Sequence, residues 1–238
     1  MGRILKNINA NNELVVKNLL TTLVENQQGV EEYRKTFFSL GCELGKIIAA
    51  KYKNLGHVLV VCAAEDADWL ANGLLDFCRL GTSIAVYWTD RKVICENPKI
   101  EISPIVKSYI DSDADSCDTM IVVKSIISTS CVVKTQLNNL MNRCNPSQII
   151  IAAPVMFKDA DKVLKEEFPK SIAEKFSFVS FAIDDEKNND GIILPGIGGM
   201  VYSKLGLGDV HQKNAYMPNL VRYHIMEPAF VCEDIKCP

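Results

Sequence analysis

Hydrophobic residues along this chain fall into two alternating patterns, which predict helices and strands in turn. Apolar residues at helical spacing predict two N-terminal helices, over residues 13–24 and 31–53. Beyond them, continuous apolar runs of strand length alternate with further helical segments. The predicted strands are 57–63, 83–88, 119–123, 148–155 and 176–183, and the predicted helices are 67–80, 129–142 and 159–167.

This alternation predicts an α/β fold, a mostly parallel sheet flanked by helices. The simplest division is a single domain over residues 1–238, with an N-terminal helical portion of about 1–53. Residues 89–116 are polar and weakly periodic, and we expect a long irregular excursion there. Ligands of such folds bind beyond the carboxyl ends of the strands, so the ends that precede Ala64, Lys124 and Asp184 matter most.

Composition limits the classes of partner and compartment. The net charge is −3, which gives no overall basic surface for nucleic acid or an anionic membrane. The longest apolar runs are strand-length and the N-terminal stretch has no apolar signal core, so we expect a cytoplasmic protein without a membrane span. Nine scattered cysteines without a C-x-x-C pair argue against zinc and favour buried thiols in a reducing compartment. Cys232 and Cys237 are either two tail thiols or a pair that forms under oxidation.

The most specific motif is the segment 182–206, AIDDEKNNDGIILPGIGGMVYSKLG. It resembles the base-binding segment of uracil phosphoribosyltransferases, A-I-D-x-x-L-N-x-x-G-Y-I-x-P-G-L-G-D-A-G-D-R-x-F-G. ELGKIIAAK from Glu43 and the stretch 146–169 resemble other parts of that family. The resemblance implies a type I phosphoribosyltransferase fold, a homodimer, and recognition of the base mainly by main-chain groups. The residues so implied are Ile193, Pro195, Gly196, Ile197 and Gly198.

The segment that holds the sugar-phosphate donor in that family is altered here. Family enzymes join uracil to phosphoribosyl pyrophosphate, usually with magnesium, and carry the signature D-P-M-L-A-T-G-G-S. Lys124 stands in place of the acid of this signature, and Ser130 and Cys131 in place of its glycines. One interpretation is that Lys124 and the hydroxyls of Ser128, Thr129 and Ser130 bind a different anionic ligand at a helix start. The other is that these hydroxyls cap the helix and that Lys124 forms a salt bridge.

The other donor-binding motifs differ as well. Glu65 stands where the family's pyrophosphate loop, R-A-G-L-G-M-x-x-G-L-L, has arginine, and Asp66 and Asp68 follow it. Carboxylates repel pyrophosphate unless a cation intervenes, so this is either a magnesium site or a solvated acidic turn. Trp88 replaces the arginine of the family's V-Y-R and either stacks on a base or packs in the core. The D-A-G-D-R portion is also lost, at 199–203.

Four altered donor-contacting features together predict that ordinary uracil phosphoribosyl transfer is absent. The first hypothesis is a nucleobase- or nucleotide-binding or regulatory protein, acting through its ligand or through a protein partner. The second is an enzyme of altered chemistry, such as glycosyl transfer or N-glycosidic cleavage on a nucleotide or nucleoside. Its candidate acids are Asp184, Glu65, Asp66 and Asp68. A third hypothesis is an effector subunit of a larger assembly.

Overall fold

An eight-stranded, mostly parallel sheet forms the centre of the protein, whose computed structural model describes residues 2–9, 12–25, 29–77, 82–97, 99–128 and 131–226. Its strands are β1 (Ile4–Leu5), β2 (Val58–Ala63), β3 (Thr82–Thr89), β6 (Ile105–Ile110), β7 (Thr119–Val123), β8 (Ile126–Ile127), β9 (Gln148–Phe157) and β10 (Phe176–Asp184). Seven of them follow the order β1-β10-β9-β7-β2-β3-β6, and β8 pairs with β9. The pairs from β10 to β3 are parallel, while β1 and β6 are antiparallel strands at the two edges.

Within the described residues, two small hairpins and ten α-helical segments surround this sheet. The hairpins are β4 (Lys92–Glu96) with β5 (Lys99–Ile102), and β11 (Glu186–Lys187) with β12 (Ile193–Leu194). The helices are α1 (Glu13–Glu25), α2 (Val30–Lys51), α3 (Ala64–Asp66), α4 (Asn72–Leu75), α5 (Cys131–Leu140), α6 (Ala160–Glu166), α7 (Lys170–Ala173), α8 (Val201–Lys204), α9 (Val210–Ala215) and α10 (Asn219–Met226). A π-helical turn, Ala67–Ala71, joins α3 to α4, and a 3₁₀ turn covers Ala114–Ser116.

The central strands are buried on both faces, which is why their sequences read as unbroken apolar runs. All six residues of β2 are buried, and successive side chains enter opposite halves of the core. Val60 and Cys62 pack on the side of α1 and α2, whereas Leu59 and Val61 pack on the side of α5. The predicted fold class is therefore confirmed.

The expectation of an irregular excursion over residues 89–116 is wrong. This stretch holds the β4–β5 hairpin and β6, and β6 extends the main sheet by pairing with β3. An edge strand covered on one face only alternates partly buried and exposed residues, as β6 does in its first half, so it lacks the apolar run of a central strand. Sequence analysis also missed the short elements β1, β8, β11, β12, α7, α8, α9 and α10.

The helix predicted over 67–80 begins three residues earlier, at Ala64, directly at the end of β2. Residues 78–80 of that prediction lie outside the described residues. The earlier start places Glu65 and Asp66 in the first helical turn rather than in a loop before it. Within the part of the chain that the structure describes, no helix is both long and apolar enough to cross a membrane.

Candidate functional site

The carboxyl ends of β2 and β7 bring together the acids and the lysine that, by the resemblance, stand at the family's donor-binding positions. The two strands are parallel neighbours, with Cys62 opposite Val123 in the register. Glu65 and Asp66 follow β2, and Lys124 follows β7. All three side chains are therefore directed to one edge of the sheet, the edge at which ligands bind in such folds.

Lys124 forms a buried ion pair with these acids. Its Nζ donates to Asp66 Oδ2 at 2.6 Å and to Glu65 Oε1 at 3.3 Å. The second carboxylate oxygen of Asp66 accepts from the backbone N–H of Ser125 at 3.2 Å. Asp66 is 1% exposed and Lys124 8% exposed, so water contributes little to their solvation. Of the two roles that the sequence left open for Lys124, the structure shows the salt bridge.

A second lysine completes this group of four charges. Lys213 of α9 is 4% exposed, and its Nζ lies 3.8 Å from Glu65 Oε2 and 2.6 Å from the carbonyl oxygen of Thr89. Two carboxylates and two ammonium groups make the cluster formally neutral. We call Glu65, Asp66, Lys124 and Lys213 the buried charge cluster. Among the described residues, Glu65 Oε2 has no hydrogen-bond partner.

Burial and the neighbouring charges shift the pKa values of this cluster in different directions. Burial raises the pKa of Asp66, with help from the nearby Glu65 and against Lys124. Burial raises the pKa of Glu65, but Lys124 and Lys213 outweigh it and hold that pKa below its usual range. Burial lowers the pKa of Lys124, but Asp66 and Glu65 outweigh it and raise that pKa above its usual range. The lysine therefore stays charged at any physiological pH.

Asp68 has a separate structural role. Its carboxylate accepts the backbone N–H groups of Asn219 and Leu220, each at 2.9 Å, and the hydroxyl of Tyr216 also donates to it. The carboxylate therefore satisfies the first N–H groups of α10, which have no partner within the helix. Among the described residues, no three His, Cys, Asp or Glu side chains converge as a metal site would require. Asp68 thus does not join Glu65 and Asp66 around a common point.

Trp88 packs in the core beside this cap. Its ring is 1% exposed, and its Nε1–H donates to the carbonyl oxygen of Tyr216 at 2.7 Å. Lys107 Nζ lies 4.7 Å from the centre of the indole ring. The structure thus gives Trp88 a packing partner and a hydrogen-bond partner within the protein.

Asp184, at the end of β10, is fully buried and forms a bidentate ion pair with Arg3. Arg3 Nε donates to Oδ1 at 2.8 Å, and Nη2 donates to Oδ2 at 2.7 Å. The same carboxylate accepts the backbone N–H of Gly196 at 2.9 Å. A planar guanidinium can donate two parallel hydrogen bonds to one carboxylate. Because Asp184 also accepts the N–H of Gly196, it connects the N-terminal segment to the loop 195–198.

The loop 195–198 is fixed from both sides by contacts within the protein. Arg3 Nη2 donates to the carbonyl oxygen of Gly196 at 2.6 Å, and the buried hydroxyl of Tyr33 donates to that of Ile197 at 2.7 Å. Gly198 adopts φ +79°, and a Cβ there would lie 2.3 Å from the carbonyl oxygen of Leu23. The carbonyl oxygens of Gly196 and Ile197 thus each accept a hydrogen bond from a side chain of the protein.

A cleft of about 600 Å³ opens at the start of α5, near the predicted anion-binding hydroxyls. Ser128 lines it, while Thr129 and Ser130 lie outside the described residues. The end of β5 forms another wall, where Cys131 Sγ lies 3.3 Å from Ser103 Oγ. Three basic and three acidic side chains surround the opening: Arg91, Lys134, Lys187, Glu101, Glu167 and Asp190.

Some charges at the cleft are paired with one another. Lys134 Nζ lies 2.6 Å from Glu167 Oε2, and Arg91 Nη1 lies 3.7 Å from Glu101 Oε2. Lys187 Nζ lies 3.4 Å from the carbonyl oxygen of Ser128. These side chains are partly exposed, unlike the buried charge cluster, so an exchange of their partners costs little free energy.

Comparisons with known proteins agree with this architecture. No family model matches the chain. It is 28% identical over 149 residues to a uracil phosphoribosyltransferase of Sulfolobus acidocaldarius, a match that spans 61% of this chain and 65% of that relative. The structure of the AQ2163 protein from Aquifex aeolicus is similar, with a TM-score of 0.65 at 16% identity, over 81% of this chain and 94% of that one. A hypoxanthine phosphoribosyltransferase from Staphylococcus aureus gives a TM-score of 0.41 at 14% identity, over 63% of this chain and 74% of that one.

The matched sequence segments lie in the structure where the fold of the relatives would place them. The segment 182–206 ends β10 and forms the fixed loop beyond it, and the parallel sheet places the altered motifs at its carboxyl edge. The chain is a divergent type I phosphoribosyltransferase-like protein.

Proposed function

We propose that this protein binds a nucleobase or nucleotide in a regulatory role and does not transfer phosphoribosyl groups from phosphoribosyl pyrophosphate. The observation that carries this proposal is the buried contact of Lys124 with Asp66 and Glu65. Lys124 replaces an acid of the related enzymes, and Glu65 replaces an arginine. In this protein the ammonium group of Lys124 and the carboxylate of Glu65 form an ion pair, so each charge neutralises the other.

Electrostatics oppose the usual donor at this edge of the sheet. Two like charges about 4 Å apart repel by about 4 kcal/mol at the effective dielectric constant of a protein surface. A pyrophosphate beside Glu65 and Asp66 would meet two carboxylates, and the nearest cations, Lys124 and Lys213, already face those acids. Binding the donor would therefore require breaking a buried ion pair, which is costly.

The cleft beside α5 is the place we assign to the ligand. Ser128 lines it and leads into α5, where backbone N–H groups at a helix start favour a negative group. Lys134 and Arg91 stand at its opening and can turn toward a phosphate. In this proposal, Ser128, Thr129 and Ser130 hold the anionic part of the ligand.

The base would lie toward the loop that follows β12. A Cβ on Gly196 would stand 3.5 Å from Ile126 of β8, and Ser128 follows Ile126 by two residues. The fixed loop and the cleft are thus connected through β8. We assign Ile193, Pro195, Gly196, Ile197 and Gly198 to this side of the ligand. The proposal retains the cytoplasmic location that the composition predicts and the homodimer that the resemblance implies. Light scattering on the purified protein tests the homodimer.

Ligand-dependent melting of the purified full chain tests the binding proposal. The probes are uracil, other bases, and nucleoside mono- and triphosphates, each with and without magnesium. A ligand at a hundred times its Kd stabilises the folded state by about 2.7 kcal/mol, which raises the melting temperature. We expect a rise with at least one base or nucleotide, and a smaller rise in Ser128→Ala and Lys134→Ala.

Lys162→Ala is the matched control, because Lys162 is an exposed lysine that does not line the cleft. It should leave the ligand-induced rise unchanged. Two outcomes would contradict the proposal: no shift with any probe, or a shift that is the same in the cleft variants and in wild type.

A further inference from the structure

The cleft beside α5 contains as many acidic as basic side chains among the described residues that line it. Its charged residues are Arg91, Lys134, Lys187, Glu101, Glu167 and Asp190. Proteins usually bind chains of several phosphates where basic side chains, often with a magnesium ion, outnumber the acids. The charges of these six side chains sum to zero, so they supply little excess positive charge for such a chain.

Two of the three cations of the cleft lie directly beside an acid. Lys134 Nζ, on α5, lies 2.6 Å from Glu167 Oε2, just after α6. Arg91 Nη1, just before β4, lies 3.7 Å from Glu101 Oε2 of β5. A phosphate oxygen that approaches either cation therefore also approaches a carboxylate.

The acids of these two pairs are less exposed than their cations. The side chain of Glu101 is 19% exposed and that of Arg91 is 47% exposed. The side chain of Glu167 is 28% exposed and that of Lys134 is 43% exposed. The more exposed cation can turn toward a phosphate, whereas the more enclosed carboxylate stays in the wall of the cleft. A ligand that binds the cation therefore still has the carboxylate next to it.

The β11–β12 hairpin adds one further cation and one further acid to the cleft. Lys187 lies on β11, and Asp190 lies in the turn between the two strands. Lys187 Nζ lies 3.4 Å from the carbonyl oxygen of Ser128 and 4.1 Å from the centre of the Phe157 ring. This ammonium group is thus held close to the residue that leads into α5. One cation in that position suits one phosphate group.

We propose that the cleft selects nucleotides with a single phosphate group, and that Glu101 and Glu167 exclude the corresponding di- and triphosphates. This inference rests on the binding function proposed above, which places the first phosphate at the start of α5. A phosphate monoester carries about 1.5 to 2 negative charges at neutral pH, and each further phosphate adds more. The added phosphates reach Arg91 or Lys134 only by approaching Glu101 or Glu167, whose carboxylates repel them.

Titration calorimetry of the purified full chain with matched nucleotides tests this selectivity. The probes are the mono-, di- and triphosphates of uridine, cytidine, adenosine and guanosine, together with the free bases. All are measured at one salt concentration and in EDTA, because salt screens charges and magnesium neutralises phosphates. For a nucleoside that binds, we expect the Kd of the monophosphate to be at least about tenfold below that of the triphosphate, which corresponds to about 1.4 kcal/mol. The Kd of the diphosphate should lie between them.

Removal of one acid should narrow the ratio of the two dissociation constants. In Glu101→Gln we expect the triphosphate to bind several-fold more tightly and the monophosphate to change less, because the outer phosphates then approach an uncharged amide. Glu167→Gln should act in the same direction. Glu174→Gln is the matched control, since Glu174 is an exposed acid that does not line the cleft, and it should leave the ratio unchanged.

The wild-type titrations distinguish failure of this inference from failure of the proposed function. Triphosphates that bind as tightly as monophosphates, or more tightly, would overturn the inference and leave the proposed function standing. Binding of free bases alone would have the same consequence. If no base or nucleotide binds, both are overturned. A ratio that stays at the wild-type value in Glu101→Gln and in Glu167→Gln would overturn the role of these two acids.

Discussion

Lys124 Nζ lies 2.6 Å from Asp66 Oδ2, and this pair joins two motifs that are 58 residues apart in the chain. By the resemblance to uracil phosphoribosyltransferases, the segments that correspond to these two motifs bind different parts of one anionic donor in those enzymes. In this protein they bind each other, with Glu65 and Lys213 completing a neutral buried cluster. The positive and negative charges of these residues thus neutralise one another within one cluster.

Removal of the charge on Lys124 should strongly destabilise the fold. Lys124→Met leaves Glu65 and Asp66 buried without their main partner, and breaking such a pair typically costs about 3–5 kcal/mol. Urea denaturation monitored by circular dichroism measures the change in the free energy of unfolding. A loss below about 1 kcal/mol would contradict the buried cluster.

Two variants serve as controls for this prediction. Lys162→Met breaks a fully exposed pair with Asp159, so it should change the free energy of unfolding far less than Lys124→Met does. The triple variant Glu65→Gln, Asp66→Asn, Lys124→Met removes all three charges. It should recover part of the stability that Lys124→Met loses, because no uncompensated carboxylate remains beside the lost lysine.

Gly198 should tolerate a methyl group much less well than Gly191, although both have φ +79°. A Cβ on Gly198 would lie 2.3 Å from the carbonyl oxygen of Leu23, whereas nothing lies within 4 Å of one on Gly191. Gly191→Ala should cost about 1–2 kcal/mol for the left-handed backbone alone. Gly198→Ala should cost more, since the backbone must also move. Equal losses in the free energy of unfolding for the two variants, measured by urea denaturation, would show that the loop 195–198 is not packed against α1.

Arg3 should be required for the position of the loop 195–198. Arg3→Ala leaves the fully buried Asp184 with the backbone N–H of Gly196 as its remaining described donor, at an expected cost of about 3–5 kcal/mol. The free energy of unfolding of Arg3→Lys should lie between those of Arg3→Ala and wild type. An ammonium group cannot form both hydrogen bonds of the bidentate contact. Hydrogen exchange at the Gly196 amide should accelerate in both. Lys6→Ala, an exposed change nearby, should leave that exchange rate unaltered.

Asp111 should contribute stability that acid removes. Burial raises its pKa, but hydrogen bonds from His224, the backbone N–H of Ile84 and Tyr109 outweigh burial and hold the pKa below its usual range. An acid with a lowered folded pKa stabilises the protein above the unfolded value of about 3.9. This contribution is lost as the pH falls from there through the folded pKa.

Denaturation of wild type and Asp111→Asn between pH 7 and pH 2 measures this contribution. Wild type should be the more stable at neutral pH, and the difference should shrink below about pH 4. The exposed Asp161→Asn is the control and should follow wild type throughout. A difference that is constant with pH would refute the proposed role of the ionised Asp111.

The sequence was sufficient to predict the central sheet because strands buried on both faces consist of continuous apolar residues. The run VLVVCA in β2 is an example. The edge strand β6 escaped prediction because its first residues alternate between partly buried and exposed, and Lys107 interrupts the apolar pattern. The short helix α9 begins with a capping box, in which the side chains of Asp209 and Gln212 each accept the backbone N–H of the other residue. Its six residues are too few for apolar periodicity to reveal it.

The candidate site, like the fold, could be predicted from the sequence only in part. Motif comparison placed Glu65, Asp66 and Lys124 at one edge of the sheet, where the structure has them. It could not show that they pair, because side-chain partners separated by 58 residues leave no local signal. Arg3 and Tyr33 were missed for the same reason, since each reaches the loop 195–198 from more than 160 residues away.

Titration calorimetry with phosphoribosyl pyrophosphate and magnesium is the most direct test of the central claim, that Lys124, Asp66 and Glu65 have replaced the donor site. A dilution control and a nucleotide that shifts the melting temperature should be run on the same preparation. The account predicts no heat of binding for the donor at millimolar concentration. Saturable binding of the donor to the wild-type protein would contradict it.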